Sequence, residues 1–303
     1  MESIAEKKTT NSRDFTFKDY DKRMLGIVTL YYPDILIAAD NIKKYAQSID
    51  SLIIWDNSPL VVDVKTQMQP LLQSIWHKVV WHGDGKNYCI APAINFALHY
   101  ATANSFDLLL VMDQDSQWND FSAYRRDIEI SLSRGEMKVF TPYVKGCDTF
   151  EIKGEMQEKR LMINSGMVIP VRILAEIGEV DEEAFPLDAL DHDISYLVKE
   201  HGYQTVCLTK YMLNHSLGQM QRMGLFDIMT PNYNKQRTYS MTRSHIICYR
   251  KHKKILTNED RHYLYWEILI MKFFRIILAE PDKFKRMKAF VKGIFDGISY
   301  KIK

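Results

Sequence analysis

One stretch constrains the 303-residue chain more than any other. The strand-like run Phe106-Asp107-Leu108-Leu109-Leu110-Val111-Met112 halts abruptly at Asp113-Gln114-Asp115-Ser116. It is the fourth such run, and the earlier ones are separated by helical spacing. Met24 to Tyr31 is apolar and β-branched and ends at Pro33. Residues 34–49 then set Ile35, Ala38, Ile42, Tyr45 and Ala46 along one helical side. Leu52–Trp55 stops at the turn formers Asp56-Asn57-Ser58-Pro59, and a third strand is expected at Lys78–Trp81 before a helix over Ala91–Thr102. Strand, helix and strand in alternation predict an α/β fold on a mostly parallel sheet. Such sheets take ligands at the carboxyl ends of their central strands, which is where the two aspartates fall. Downstream, helices are expected at Asp120–Ser133, 171–178 and Asp191–His201, and strands at Val139–Val144, Met162–Pro170 and Thr205–Leu208.

Composition narrows the function classes. With 46% hydrophobic and 26% charged residues, collagen-like, disulfide-scaffold and disordered chains are excluded. The four cysteines, at 89, 147, 207 and 248, form no close pair, so a zinc knuckle or redox motif is not expected and a reducing cytoplasmic setting is. Residues 1–23 are polar, lack the apolar stretch of a signal peptide and read as a mobile tail. The net charge of +2 conceals an asymmetry. Residues 235–303 hold 17 Lys and Arg against 6 Asp and Glu, whereas residues 1–234 hold 23 against 32. A basic, aromatic, helical end over 219–303 suits a polyanion, either nucleic acid or an anionic membrane leaflet, and a solvated basic face is the plain alternative. Its most apolar part, Tyr263–Leu278, is interrupted by three charges and is too short to span a bilayer, so a core-facing or interfacial helix is expected.

Several residues carry chemistry. Asp113 and Asp115 offer hard oxygen ligands for Mg²⁺ or Mn²⁺, which bind few protein carboxylates and fill the remainder with water and phosphate oxygens. Such a cation screens a diphosphate leaving group. Asp56 closes the second strand, where it either accepts from a base or ribose or caps the turn through Asn57 and Ser58. Asn87 and Asn95 flank a helix start and either cap it or reach a ligand, with capping favoured for Asn87. Asp188, Asp191 and Asp193, after Glu182 and Glu183, offer a general base or a set of helix-terminal acids. On a helix Asp188 and Asp191 share a side while Asp193 points elsewhere. His215 follows a strand and is a candidate metal or phosphate ligand, or a core histidine.

In this order the signals resemble the glycosyltransferase family 2 enzymes with a GT-A fold, and within them the bacterial rhamnosyltransferase-type members. The matching pieces are VTLYYPD at 28–34, IIWDNSP at 53–59, NYCIAPAIN at 87–95, LLLVMDQDS at 108–116, INSGMVI at 163–169, LDALDHDISYLVKEHGY at 187–203, HSLG at 215–218 and GIFDGISYK at 293–301. The resemblance covers residues 24–303. It implies a GT-A catalytic domain over 24–218, with Thr29, Tyr31 and Asp56 in the nucleotide pocket and Asn87 near the nucleotide-sugar. It further implies that Asp113 and Asp115 hold the cation and diphosphate, that His215 stands beside them, and that Asp191 deprotonates the acceptor hydroxyl. Two departures stand out. Relatives show a glycine in an N-x-G-x-A pattern where this chain reads Asn87-Tyr88-Cys89-Ile90-Ala91, and the acidic segment reads Asp191-His192-Asp193 where relatives have an aromatic residue and a Glu, so Asp193 stays open as the base.

The implied reaction is an inverting, cation-dependent transfer from a dTDP- or UDP-linked sugar to a glycan or lipid-linked hydroxyl. The basic end would then hold the enzyme on the inner membrane face. No nucleic-acid partner belongs to that reading, and self-association is left open. Nucleotidyl transfer on a similar sheet also uses paired aspartates, but it usually places a Gly-rich, basic loop after the first strand, where this chain has Tyr31-Tyr32-Pro33-Asp34. Nucleic-acid binding through the basic end is the non-enzymatic alternative.

Overall fold

A computed structural model of the chain describes residues 22–215, 220–224 and 227–302. The expected tail lies almost wholly outside these residues, as do Ser216, Leu217 and Gly218 of the HSLG element.

The first half follows the strand–helix alternation. β1 (Met24–Leu30) leads to α1 (Ile35–Ala46), whose N-cap Asp34 accepts the Ile37 N–H. β2 (Ser51–Asp56), α2 (Val64–Leu71), β3 (Val79–His82), α3 (Ala91–Ala103) and β4 (Leu108–Asp113) complete a parallel block in the spatial order β3-β2-β1-β4. β1, β2 and β4 are buried on both faces, which is why they read as continuous apolar runs rather than alternating ones, whereas β3 at the sheet edge is half-buried. Leu25, Ile27, Leu109 and Val111 face one core, while Met24, Val28, Leu110 and Met112 face the other, beneath α1 and α2.

The second half extends the same sheet. A three-residue strand, β5 (Ser116–Trp118), precedes α4 (Phe121–Ser133), followed by β6 (Lys138–Lys145), β7 (Met156–Glu158), β8 (Val168–Pro170), α5 (Val171–Ile177), α6 (Leu190–Glu200) and β9 (Gln204–His215). β8 pairs antiparallel with β4, and β9 runs parallel to β6 and carries β5 and β7 antiparallel along its length. The β6–β9 register is interrupted once. Pro142 lies opposite Leu208 but Tyr143 lies opposite Met212, so Thr209–Tyr211 are skipped. The expected strand over 162–170 is regular only from Val168, because Asn164-Ser165-Gly166 turns the chain. Gly166 has a φ of +82°, and a Cβ there would come within 2.7 Å of Pro142.

After the hairpin of β10 (Gln221–Met223) and β11 (Ile228–Thr230) the chain is helical. It comprises α7 (Lys235–Lys251), α8 (Asn258–Tyr263), a π-helical segment over Leu264–Met271, α9 (Lys272–Leu278) and α10 (Lys283–Ser299). α7 contributes Ile247, Cys248 and Tyr249 to the same core as the sheet. No helix among the described residues is long and apolar enough to cross a membrane.

Candidate active site

The sheet itself brings the acidic pair and the histidine together. Thr29 on β1 is in register with Asp113 at the end of β4. Three residues later the chain enters β5, where Ser116 is in register with His215 at the far end of β9. Two serines with no exposed surface tie the corner. The Asp113 N–H donates to Ser165 Oγ (3.1 Å), Ser165 Oγ donates to Ser116 Oγ (2.7 Å), and Ser116 Oγ lies 2.7 Å from His215 Nδ1. Gln114 bridges the neighbouring strand end by accepting the Tyr31 N–H through Oε1 and donating to the Tyr31 carbonyl. Asp115 Oδ1 lies 3.4 Å from His215 Nδ1.

Electrostatics set this corner apart. Burial pushes the Asp113 carboxyl up to about 6; His215 opposes that shift, and the charges of Asp115 and Asp191 add to it. Ligand atoms from Asp113, Asp115 and His215 all fall within 4.8 Å of one another. Two carboxylates and an imidazole form a donor set that fits a divalent cation.

The three residues open into a cleft of about 400 Å³ that is also lined by Thr29, Tyr31 and Asn87. Six of the eight residues expected from sequence therefore share one cleft. Asp56 is not among those lining it. Its Oδ1 accepts the Ser58 N–H, the turn-capping role, and Ser58 Oγ in turn accepts the Tyr32 N–H. Asp191 does not line the cleft either, and stands on the first turn of α6 near enough for its charge to reach Asp113. Burial raises the Asp191 carboxyl. Its neighbour His245 is pushed down to about 4 by burial, with His192 adding to the shift, while the His192 N–H donated to Asp191 and the charge of Lys159 partly offset the Asp191 rise.

The neighbouring acids have other partners. Asp193, fully buried, takes Lys251 Nζ at 2.8 Å and His252 Nε2 at 2.7 Å, facing α7 as the helical spacing predicts. Asp188 precedes α6 instead of sharing its face. It lies 3.5 Å from Arg237 Nε. Asn87 caps no helix. Its Oδ1 accepts the Cys89 N–H, whereas α3 begins after Ile90 with no side-chain cap. Asn95 is buried away from the cleft, exchanging hydrogen bonds with the Val180 backbone.

Sequence reasoning missed Asn57, Tyr233 and Arg237. Asn57 donates to the Cys89 carbonyl and accepts the Tyr88 N–H, fixing the 87–89 loop against β2. Arg237 is the one lysine or arginine among the described residues lining the cleft, and its guanidinium stacks 4.4 Å over the Tyr233 ring. A guanidinium held by a buried carboxylate and an aromatic face is suited to grip phosphate oxygens in pairs.

No protein-family model and no curated protein matches the chain. Solved structures do. A crystal structure of GalNAc-T7 with UDP, GalNAc and Mn²⁺ superposes with a TM-score of 0.58 at 10% identity over 91% of this chain. The fold is GT-A. The aligned part is 56% of the GalNAc-T7 chain, so this protein spans just over half its length. Residues 1–349 of S. aureus TarS superpose with a TM-score of 0.54 at 12% identity, covering 90% of this chain and 81% of that one, with the same values for its complex with UDP-GlcNAc.

Proposed function

We propose that the chain is a cation-dependent, inverting glycosyltransferase. It moves a sugar, rhamnose being the one the sequence resemblance suggests, from a dTDP- or UDP-linked donor onto a hydroxyl of a bacterial surface glycan or lipid-linked acceptor at the cytoplasmic membrane face. The observation that carries this reading is the convergence of Asp113, Asp115 and His215 at the carboxyl end of the parallel block of a GT-A sheet. The UDP, GalNAc and Mn²⁺ in the GalNAc-T7 structure and the UDP-GlcNAc in the TarS complex support the donor class.

In this reading Thr29, Tyr31 and the Asn87–Cys89 loop bound the nucleotide, and Arg237 holds diphosphate oxygens from the opposite wall. Asp113, Asp115 and His215 would hold Mn²⁺ or Mg²⁺, which when bound neutralises charge on the departing diphosphate. Asp191 accepts the acceptor's hydroxyl proton as that oxygen attacks the anomeric carbon. The carbon–oxygen bond to the diphosphate breaks on the opposite face, its electron pair leaves with the phosphate oxygen, and one displacement inverts the centre. The raised carboxyl of Asp191 suits a general base, since it binds the hydroxyl proton more strongly than an ordinary aspartate.

The test is thermal unfolding with UDP-, dTDP- and GDP-sugars, with and without Mn²⁺, beside a transfer assay. A nucleotide-sugar that stabilises the protein only with the cation is the expected result, and Asp115→Asn should remove it. Asp191→Asn should lower turnover by ~10²–10⁴-fold with donor binding intact. Stabilisation by nucleoside triphosphates but not by any nucleotide-sugar would point to nucleotidyl transfer instead.

A further inference from the structure

α10 packs on α7 through small residues. A Cβ on Gly293 would lie 2.8 Å from the Tyr239 carbonyl oxygen, and one on Gly297 would lie 2.9 Å from Ile246 Cβ. Tyr239 donates to Asp296, and Arg250 donates to the Gly297 and Tyr300 carbonyls, so the two helices run side by side in the same direction. At about 100° per residue, Phe284, Val291, Phe295 and Ile298 fall within a sector of about 60° facing away from that contact. They are exposed accordingly, Phe284 at 90% and Phe295 at 67%. Lys285, Lys288 and Lys292 follow one flank of the stripe. At its end Ile298 and Ile302 join Leu264 and Tyr265 in an apolar groove of about 550 Å³ rimmed by Arg250 and Lys253. Trp266, Phe273 and Phe274 of the preceding segments are exposed as well.

We infer that this helical layer is a docking surface for an anionic lipid bilayer, with the stripe entering the headgroup boundary and the lysines resting on lipid phosphates. The inference deepens the membrane-face part of the sugar-transfer reading and rests on it for its biological sense, but no cleft residue takes part, so vesicle binding and donor binding are tested separately. Large exposed apolar side chains flanked by lysines are the pattern of a helix lying in a membrane interface. A second copy fits less well, because two faces of the same basic segment would bring their lysine rows together. Nucleic acid fits less well too, since aliphatic side chains occupy the middle of the stripe and the cations only its edge.

The experiment is co-sedimentation of the full chain with vesicles of phosphatidylcholine alone and of phosphatidylcholine mixed with phosphatidylglycerol. Binding is expected to the mixed vesicles and to weaken with salt. The Phe284→Asp, Phe295→Asp double variant should lower vesicle partitioning by about tenfold or more, since each exposed ring then loses its transfer into the interface. Its thermal midpoint should stay unchanged because both rings are solvent-facing in the free protein. Lys285→Glu, Lys288→Glu, Lys292→Glu should remove the preference for the anionic lipid. Failure of the wild type to bind mixed vesicles, or equal binding by the Phe variant, would overturn the inference. So would light scattering that shows a dimer dispersed by the Phe substitutions, or a loss of nucleic-acid binding on those substitutions with lipid binding unaffected.

Discussion

Cys89 has a φ of +63°, in the left-handed region where a side chain is strained. A glycine at this position would adopt the same conformation without that strain. Cys89→Gly should therefore raise stability by about 1 kcal/mol, read by chemical denaturation, whereas Cys89→Ala should not. Asp113 makes a sharper case. Its folded carboxyl, at about 6, lies above the value of ~3.9 for an unfolded aspartate. The ionised form thus costs the cation-free protein stability, a cost absent below pH ~4 and complete above pH ~6. Asp113→Asn should raise stability at pH 7 without cation by roughly 1–3 kcal/mol, read by chemical denaturation, while abolishing any rise in thermal midpoint on adding Mn²⁺. For the wild type, Mn²⁺ affinity should fall by up to ~10-fold per unit as the pH drops below about 6, measurable by calorimetry. A flat affinity down to pH 5 would remove Asp113 from the ligand set.

At the level of elements, the helical layer is fastened by a buried charge cluster. Glu280, fully buried, takes Thr230 Oγ1 at 2.6 Å, Lys272 Nζ at 3.0 Å and Arg286 Nη1 at 2.9 Å, joining β11, α9 and α10. Burial alone would raise its carboxyl, but the Thr230 hydrogen bond and the two cations outweigh it, and the net shift is downward. A depressed carboxyl contributes stability that is present above the ordinary carboxylate range and lost as the pH falls through the folded value. Glu280→Gln should cost ~3–5 kcal/mol in denaturant unfolding, because two cations stay buried without their counter-charge. Which elements were legible follows from their length and pattern. β1, β2, β4 and α1 announce themselves because each strand is apolar throughout and the helix repeats at its own period. β5, β7 and the β10–β11 hairpin are three residues each, too short for any period, and β9 continues past Leu208 through Thr209 and Lys210, whose polarity reads as an end.

For the whole molecule, the core joins the sheet to α7, so the acidic α/β and basic helical segments separated by sequence composition share one interior. Calorimetry should show a single unfolding transition, shifted as a unit by donor and cation; two transitions would contradict the shared core. The acidic pair was readable from sequence because its position after an apolar strand is local. Arg237 and the Ser165–Ser116 relay were not, since only the completed sheet and α7 bring residues so far apart in sequence to one corner. The skipped residues Thr209–Tyr211 act as a spacer between the two stretches of β9 that pair with β6. Side chains alternate faces along a strand, so shortening that spacer by one residue would hand the place of His215's imidazole to the next position and turn His215 to where Asn214 now points. The sheet would survive with its circular dichroism little changed, yet the imidazole would have left the acidic pair by a phase error of one residue.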